Sequence, residues 1–166
     1  MTEDLYIALD LHDRTVPWPT PSLEDALEDD SDLYSDWLPC LLTFRVGDVH
    51  FPQIWIPILQ AAMMLPAHLR SIPDGRAFTW SLPEGEGYIR FTRNGDLFYL
   101  DPEPPPPTHV SRDQALQVLE EMESAGRAFL LAEHPALLDH PVVGRWLRGG
   151  EYQFPEGWEY PDPISS

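Results

Sequence analysis

The chain has 166 residues, with 28 Asp and Glu against 10 Arg, no Lys, and a formal net charge of -18 at pH 7. A field of that sign repels nucleic-acid phosphates and anionic membrane and draws basic surfaces, so it disfavours direct nucleic-acid or membrane binding and points to a basic protein as partner. The length and a 43% hydrophobic content suit a single domain that buries roughly two-thirds of its unfolded surface, and six Trp, six Tyr and seven Phe exclude a disordered acidic chain.

In chain order, Leu5, Ile7, Leu9 and Leu11 alternate with Ala8, Asp10 and His12, which predicts a half-buried strand over 5–12, ended by Pro17, Pro19 and Pro21. No basic residue lies between Arg14 and Arg45. That interval holds Glu24, Asp25, Glu28, Asp29, Asp30, Asp32 and Asp36, with Tyr34 and Trp37 beside them. Residues 22–37 are expected as an acidic loop or a short helix capped by Ser22, with Glu24 and Asp25 favourable in its first turn. Next, Val46 and Val49 pair across a Gly47-Asp48 turn, with Phe44 opposite Phe51.

Over 53–72, Ile54, Ile58, Ala61, Ala62, Leu65, Leu69 and Ile72 recur at helical steps, predicting an amphipathic helix entered at Pro52, with Pro57 in its first turn and a kink or restart at Pro66. Residues 78–82, 88–93 and 96–101 read as a three-stranded meander. Asn94-Gly95 is read as a type I′ turn, pairing Arg93 with Asp96, Phe91 with Phe98 and Ile89 with Leu100. Residues 102–107 form a polyproline connector. A capping box at Ser111 and Gln114 opens a helix to 132, with Leu116, Leu119, Met122, Ala125 and Phe129 inward and Glu120, Glu121 and Glu123 on its surface. A short helix follows His140-Pro141 and stops at Gly149-Gly150. Residues 151–166 are an acidic tail with Tyr152, Phe154, Trp158 and Tyr160.

The expected fold is α+β, an antiparallel hairpin-rich sheet of about five or six strands covered by two main helices. Cys40 is the only cysteine, which excludes an internal disulfide, and no stretch approaches 18 apolar residues, so a cytoplasmic location is expected.

Catalytic signatures are weak. There is no Gly-x-Ser-x-Gly elbow, phosphate-cradling glycine loop, zincin spacing or cofactor motif. The enzyme alternatives are a metal held by Asp10, His12, Asp13 and His50, or a nucleophilic Cys40. Better favoured is the acidic stretch as a binding site for a basic protein, with charge steering the encounter and Tyr34 and Trp37 as anchors. In size, charge and architecture, though by no residue motif, the chain resembles bacterial immunity proteins that neutralise toxins, and other single-domain inhibitors. The resemblance implies a partner such as a nuclease-type toxin or another nucleic-acid-binding protein. An adaptor role through the polyproline segment or the aromatic tail is the remaining alternative.

Overall fold

In the computed structural model, residues 2–13, 15–81, 87–102, 108–155 and 157–160 are described, without the side chains of 101 and 102. Within them the α+β class holds, but the strands form two four-stranded antiparallel sheets instead of one. The expected polyproline connector lies, from residue 103 to 107, outside the described residues.

The first sheet is built on β2 (Pro39–Val46). Strand β1 (Leu5–Asp10) pairs along one side, from Leu5 opposite Val46 to Asp10 opposite Leu41. Two short strands share its other side, β3 (Val49–His50) and β4 (Ile54–Pro57). The Gly47-Asp48 turn closes as expected: Val46 faces Val49, the Phe51 N–H donates to Phe44 O at 3.0 Å, and the two Phe rings meet edge-on at 4.8 Å. Phe44 takes Phe51 whereas Leu42 takes Ile54, so one extra residue is inserted on that side. Pro52, which has no N–H for a ladder bond, fits such a bulge.

Strand β4 corrects the helical reading of 53–72. Ile54, Ile56 and Ile58 also satisfy a period of two, and pairing to β2 decides for strand as far as Pro57. The chain becomes helical only at residue 58. It widens into a π segment at Gln60–Met64, then continues as α3 (Leu65–Ser71). The wide turn sends the Leu65 N–H to Gln60 O, just before Pro66, whose ring and missing N–H disfavour a regular α turn there.

The second sheet is a meander of β5 (Ala77–Ser81), β6 (Tyr88–Asn94), β7 (Leu97–Pro102) and β8 (Thr108–Ser111), the last of which had no counterpart in the sequence reading. Its central hairpin turns on Gly95-Asp96, not Asn94-Gly95: Asn94 faces Leu97, Arg93 faces Phe98 and Phe91 faces Leu100. Gly95 has φ +60° while Asn94 keeps an extended strand backbone, so the turn is built on the glycine, which adopts that φ without strain. The partners shift by two residues, which preserves the face. Ile89, Phe91, Phe98 and Leu100 all stay buried. The Glu3 N–H donates to His109 O at 2.9 Å and joins the start of β1 to β8 across the two sheets.

Helix α4 (Arg112–Glu133) spans both halves of the interior. Ser111 Oγ caps it by accepting the Gln114 N–H at 3.4 Å, but the Gln114 side chain donates to Asp4 Oδ1, so the capping box is one-sided. Its buried stripe is Ala115, Leu119, Met122, Glu123, Gly126 and Leu130. Ala125 is exposed and Leu116 and Phe129 are half-buried, so the helix sits turned from the expected face. Ala115, Leu119 and Met122 join a core fed by both sheets and α3. Leu130 joins a second, mainly helical core with Ala26, Leu33, Trp37, Ile58, Leu59 and Trp146. The two helical layers touch where a Cβ on Gly126 would lie 2.7 Å from Ala62 Cβ. After a 3₁₀ turn at Pro135–Asp139, α5 (Pro141–Leu147) closes the second core. No described helix is long and apolar enough to cross a membrane.

Candidate partner-binding site

Residues 22–37 are helical, as α1 (Leu23–Glu28) and α2 (Asp30–Ser35). Ser22 Oγ accepts the Asp25 N–H at 3.2 Å, the expected cap, and Asp29 Oδ1 accepts the Ser31 N–H at 2.9 Å to start the second helix. Seven acids fold onto the body because Ala26 and Leu33 bury completely in the second core, with Leu23, Leu27 and Tyr34 packed at its edge. A further tie comes from His140. Its Nδ1 accepts the Val142 and Val143 N–H groups as the cap of α5, which fixes Nε2 as the donor to Asp30 Oδ1 at 2.9 Å.

Glu24, Asp25, Glu28, Asp29, Asp30 and Asp36 are exposed and Asp32 is half-buried. Among the described residues none of the seven pairs with an arginine, and only Asp30 has an ionisable partner, His140. The result is an ordered surface of uncompensated negative charge.

The aromatic anchors lie elsewhere than a docking surface requires. Trp37 is only 3% exposed, with its indole edge-on to His134 at 5.0 Å, and belongs to the core. Leu38 explains the arrangement: at φ +50° it turns the chain sharply between α2 and β2, with Trp37 inside and Asp36 outside. Tyr34 is half-buried, and burial, then the charge of Asp30 and the neighbouring Tyr152, push its hydroxyl pKa up to about 12. It stays a neutral phenol near neutral pH.

Beside Asp36 opens a cleft of about 410 Å³, lined by Trp18, Ser35, Asp36, Pro39, Trp55, Pro57, Gln60 and Ser81. The sequence pattern does not announce it, because its two indoles come from a proline-rich connector and from a strand whose isoleucines also fit a helix. The alternation of β4 was the available signal: Ile54 and Ile56 point inward, which leaves Trp55 outward.

The alternative metal site does not assemble. Asp10 faces Leu41 and His50 faces Arg45, on opposite sides of β2 and four residues apart along it, roughly 13 Å. Asp10 Oδ1 instead accepts the His12 and Asp13 N–H groups, and no cluster of three metal-ligating side chains occurs among the described residues. Cys40 is fully buried in β2, where no substrate reaches it.

Two further polar features carry the interior. Glu123, expected on the surface, is 3% exposed. Its Oε1 lies 3.0 Å from Arg70 Nη1 and 3.6 Å from Arg127 Nη1, and its Oε2 accepts from Arg70 Nη2 at 3.1 Å and from Trp146 Nε1 at 3.1 Å. His68, 7% exposed, is surrounded by rings: Phe78 stacked at 4.3 Å, Phe154 at 4.5 Å, Trp158 at 5.2 Å and Tyr160 edge-on at 6.0 Å. Burial lowers its pKa to about 4. The aromatic tail thus docks on the chain's own helix α3.

Compared with known protein families, curated proteins and solved structures, the chain shows no significant match.

Proposed function

We propose that the protein is a non-enzymatic acidic binding protein that docks a basic protein partner and neutralises it, in the manner of an immunity protein or inhibitor, with the α1–α2 face as the docking surface. One observation carries this reading: seven carboxylates are displayed on capped helices anchored in the core, and among the described residues no arginine is spent on them. A flexible acidic loop would have to be ordered on binding, whereas this face is held ready, which lowers the entropic cost of docking. Its field accelerates encounter with a cationic surface, such as one shaped to hold nucleic acid. Trp37 contributes by holding the face in place from below.

The test is a double reversal, Glu24→Arg with Glu28→Arg, one helical turn apart on exposed positions that make no side-chain hydrogen bond or ion pair among the described residues. Against a basic partner recovered by co-purification, surface kinetics should show association slowed about tenfold at low ionic strength and converging with the parent in high salt. An association rate unchanged by both reversal and salt would remove this face from the interaction.

A further inference from the structure

The cleft beside α2 has a chemistry that the docking reading leaves unassigned. It lies where the rim of the first sheet, at β4, meets the end of β5 in the second, and where the last turn of α2 presents its carbonyl end. Trp18 and Trp55 supply two half-exposed indoles. Asp36 supplies a carboxylate that has no ion-pair partner among the described residues, and Ser35 and Ser81 supply hydroxyls. The Gln60 amide already donates its N–H to Tyr34 O at 2.9 Å, which leaves its oxygen as an acceptor. Among the described residues that line the cleft, none carries positive charge. The space, about 410 Å³, falls within the range of about 300–1,000 Å³ typical of ligand sites.

We infer that this cleft is an arginine pocket: it receives one guanidinium from the basic partner, stacked against the Trp18 and Trp55 indoles and forked onto the Asp36 carboxylate. The inference rests on the reading that the partner is basic, and it names the contact that gives the complex its lifetime. Arginine suits the site better than lysine, because a planar, weakly hydrated guanidinium stacks on an indole while donating two parallel bonds to a carboxylate. The aromatic side is preset. Pro17 and Pro19 flank Trp18 and narrow the backbone conformations open to it, and the backbone of Trp55 is fixed by the β4 ladder. Acidic α1 and α2 steer, and the cleft beside them holds.

The decisive experiment follows the indole N–H resonances of the intact protein by NMR during titration with N-acetyl-arginine amide, with N-acetyl-citrulline amide as the isosteric neutral control. Trp18 and Trp55 should shift saturably while Trp37, Trp80, Trp146 and Trp158 stay in place. Citrulline should bind about tenfold more weakly, because it lacks the charge-assisted bonds. Asp36→Asn should bring arginine down to the citrulline level, and Trp18→Leu, on a connector outside any strand or helix, should abolish the shift of Trp55 with the other indole positions preserved. Equal response to both probes, stationary Trp18 and Trp55, or parent-like binding in Asp36→Asn would overturn the pocket. Agmatine binding more tightly than the amide-flanked arginine would reassign the cleft to a free guanidine and overturn the side-chain assignment. The reversal of Glu24 and Glu28 does not touch the cleft. Normal arginine binding with unaltered partner association therefore defeats the docking face alone, and the opposite pattern defeats the pocket alone.

Discussion

Glu123 and the acids of α1–α2 show two opposite treatments of the same chemical group. Glu123 lies on the buried stripe of α4, at the spacing Leu119, Glu123, Gly126, Leu130, and its carboxylate is met by two guanidiniums and an indole N–H. The α1–α2 acids lie on the outer side of helices whose inner side is Ala26 and Leu33, and among the described residues they receive no arginine. The difference teaches where the few cations go. Arg93, Arg112, Arg127 and Arg145 each donate to main-chain carbonyls at the ends of elements, and Arg70 to Glu123. These five arginines fasten the body together, and the α1–α2 face, which needs no such tie, keeps its negative charge uncompensated among the described residues.

The sharpest way to break this contrast is Glu123→Ala. The substitution leaves Arg70 with only the exposed Glu151 carboxylate, 3.6 Å from its Nε, Arg127 without a carboxylate among the described residues, and the Trp146 N–H without an acceptor. The loss should be about 3–4 kcal/mol in urea unfolding, with Glu123→Gln losing less because one acceptor survives. A loss under about 1 kcal/mol would mean that water at the partly exposed arginines replaces the carboxylate, and the contrast with the surface acids would collapse.

His68 extends the comparison to a buried group held neutral. Its folded pKa of about 4 lies below the ordinary 6.5, so the unfolded chain takes up the proton first. Its contribution to stability is complete above about pH 6.5 and is lost as pH falls toward 4. Between pH 7.5 and pH 5 the parent should therefore lose about 2 kcal/mol relative to His68→Phe, which keeps a ring in the aromatic nest without a titrating nitrogen. Parallel denaturation curves for the two proteins at both pH values check this. An unchanged gap would mean that the tail lifts off and hydrates the imidazole.

Gly126→Ala should cost about 1–2 kcal/mol, against the helix-propensity gain of alanine, because the added methyl meets Ala62 at the crossing of α4 and the π segment. The double variant with Ala62→Gly should recover most of the loss. Without that recovery, the close approach is not what fixes the glycine.

What the sequence made legible follows from which physical signals are local. The β2–β3 hairpin could be placed to the residue because alternation and a glycine turn agree. The β6–β7 hairpin kept its buried face but took a shifted register, since either side of Gly95 offers a plausible turn and only the backbone decides which residue turns. Ile54 and Ile58 fit a strand and a helix alike, and Ile56, which fits only the strand, is the residue that places β4 and turns Trp55 outward. By sequence neighbours alone, Glu123 groups with Glu120 and Glu121 as solvated surface. Its place in the 119–123–126–130 spacing and the arginine four residues on were readable, but Arg70, 53 residues distant, was not. For the acidic stretch the charge was obvious and the anchoring was not, because Trp37 reads equally well as surface anchor or as core until Leu38 turns the chain.

The smallest effect is expected where the charge is densest. Reversing Glu24 and Glu28 removes no bond in the folded protein and relieves repulsion among seven neighbouring acids, while opposing the dipole at the first turn of α1. These terms are each a few tenths of a kcal/mol and of opposite sign, so stability should stay within about 0.5 kcal/mol of the parent. Screening should act in the same direction as relief of repulsion: the parent's melting temperature should rise from low to physiological salt, where the screening length is about 8 Å, and the reversed variant should rise less. Thermal melts of both proteins across that range decide the matter. A parent that melts lower in added salt would show that its acids are engaged in favourable pairings, and the picture of a face left deliberately uncompensated would fail with it.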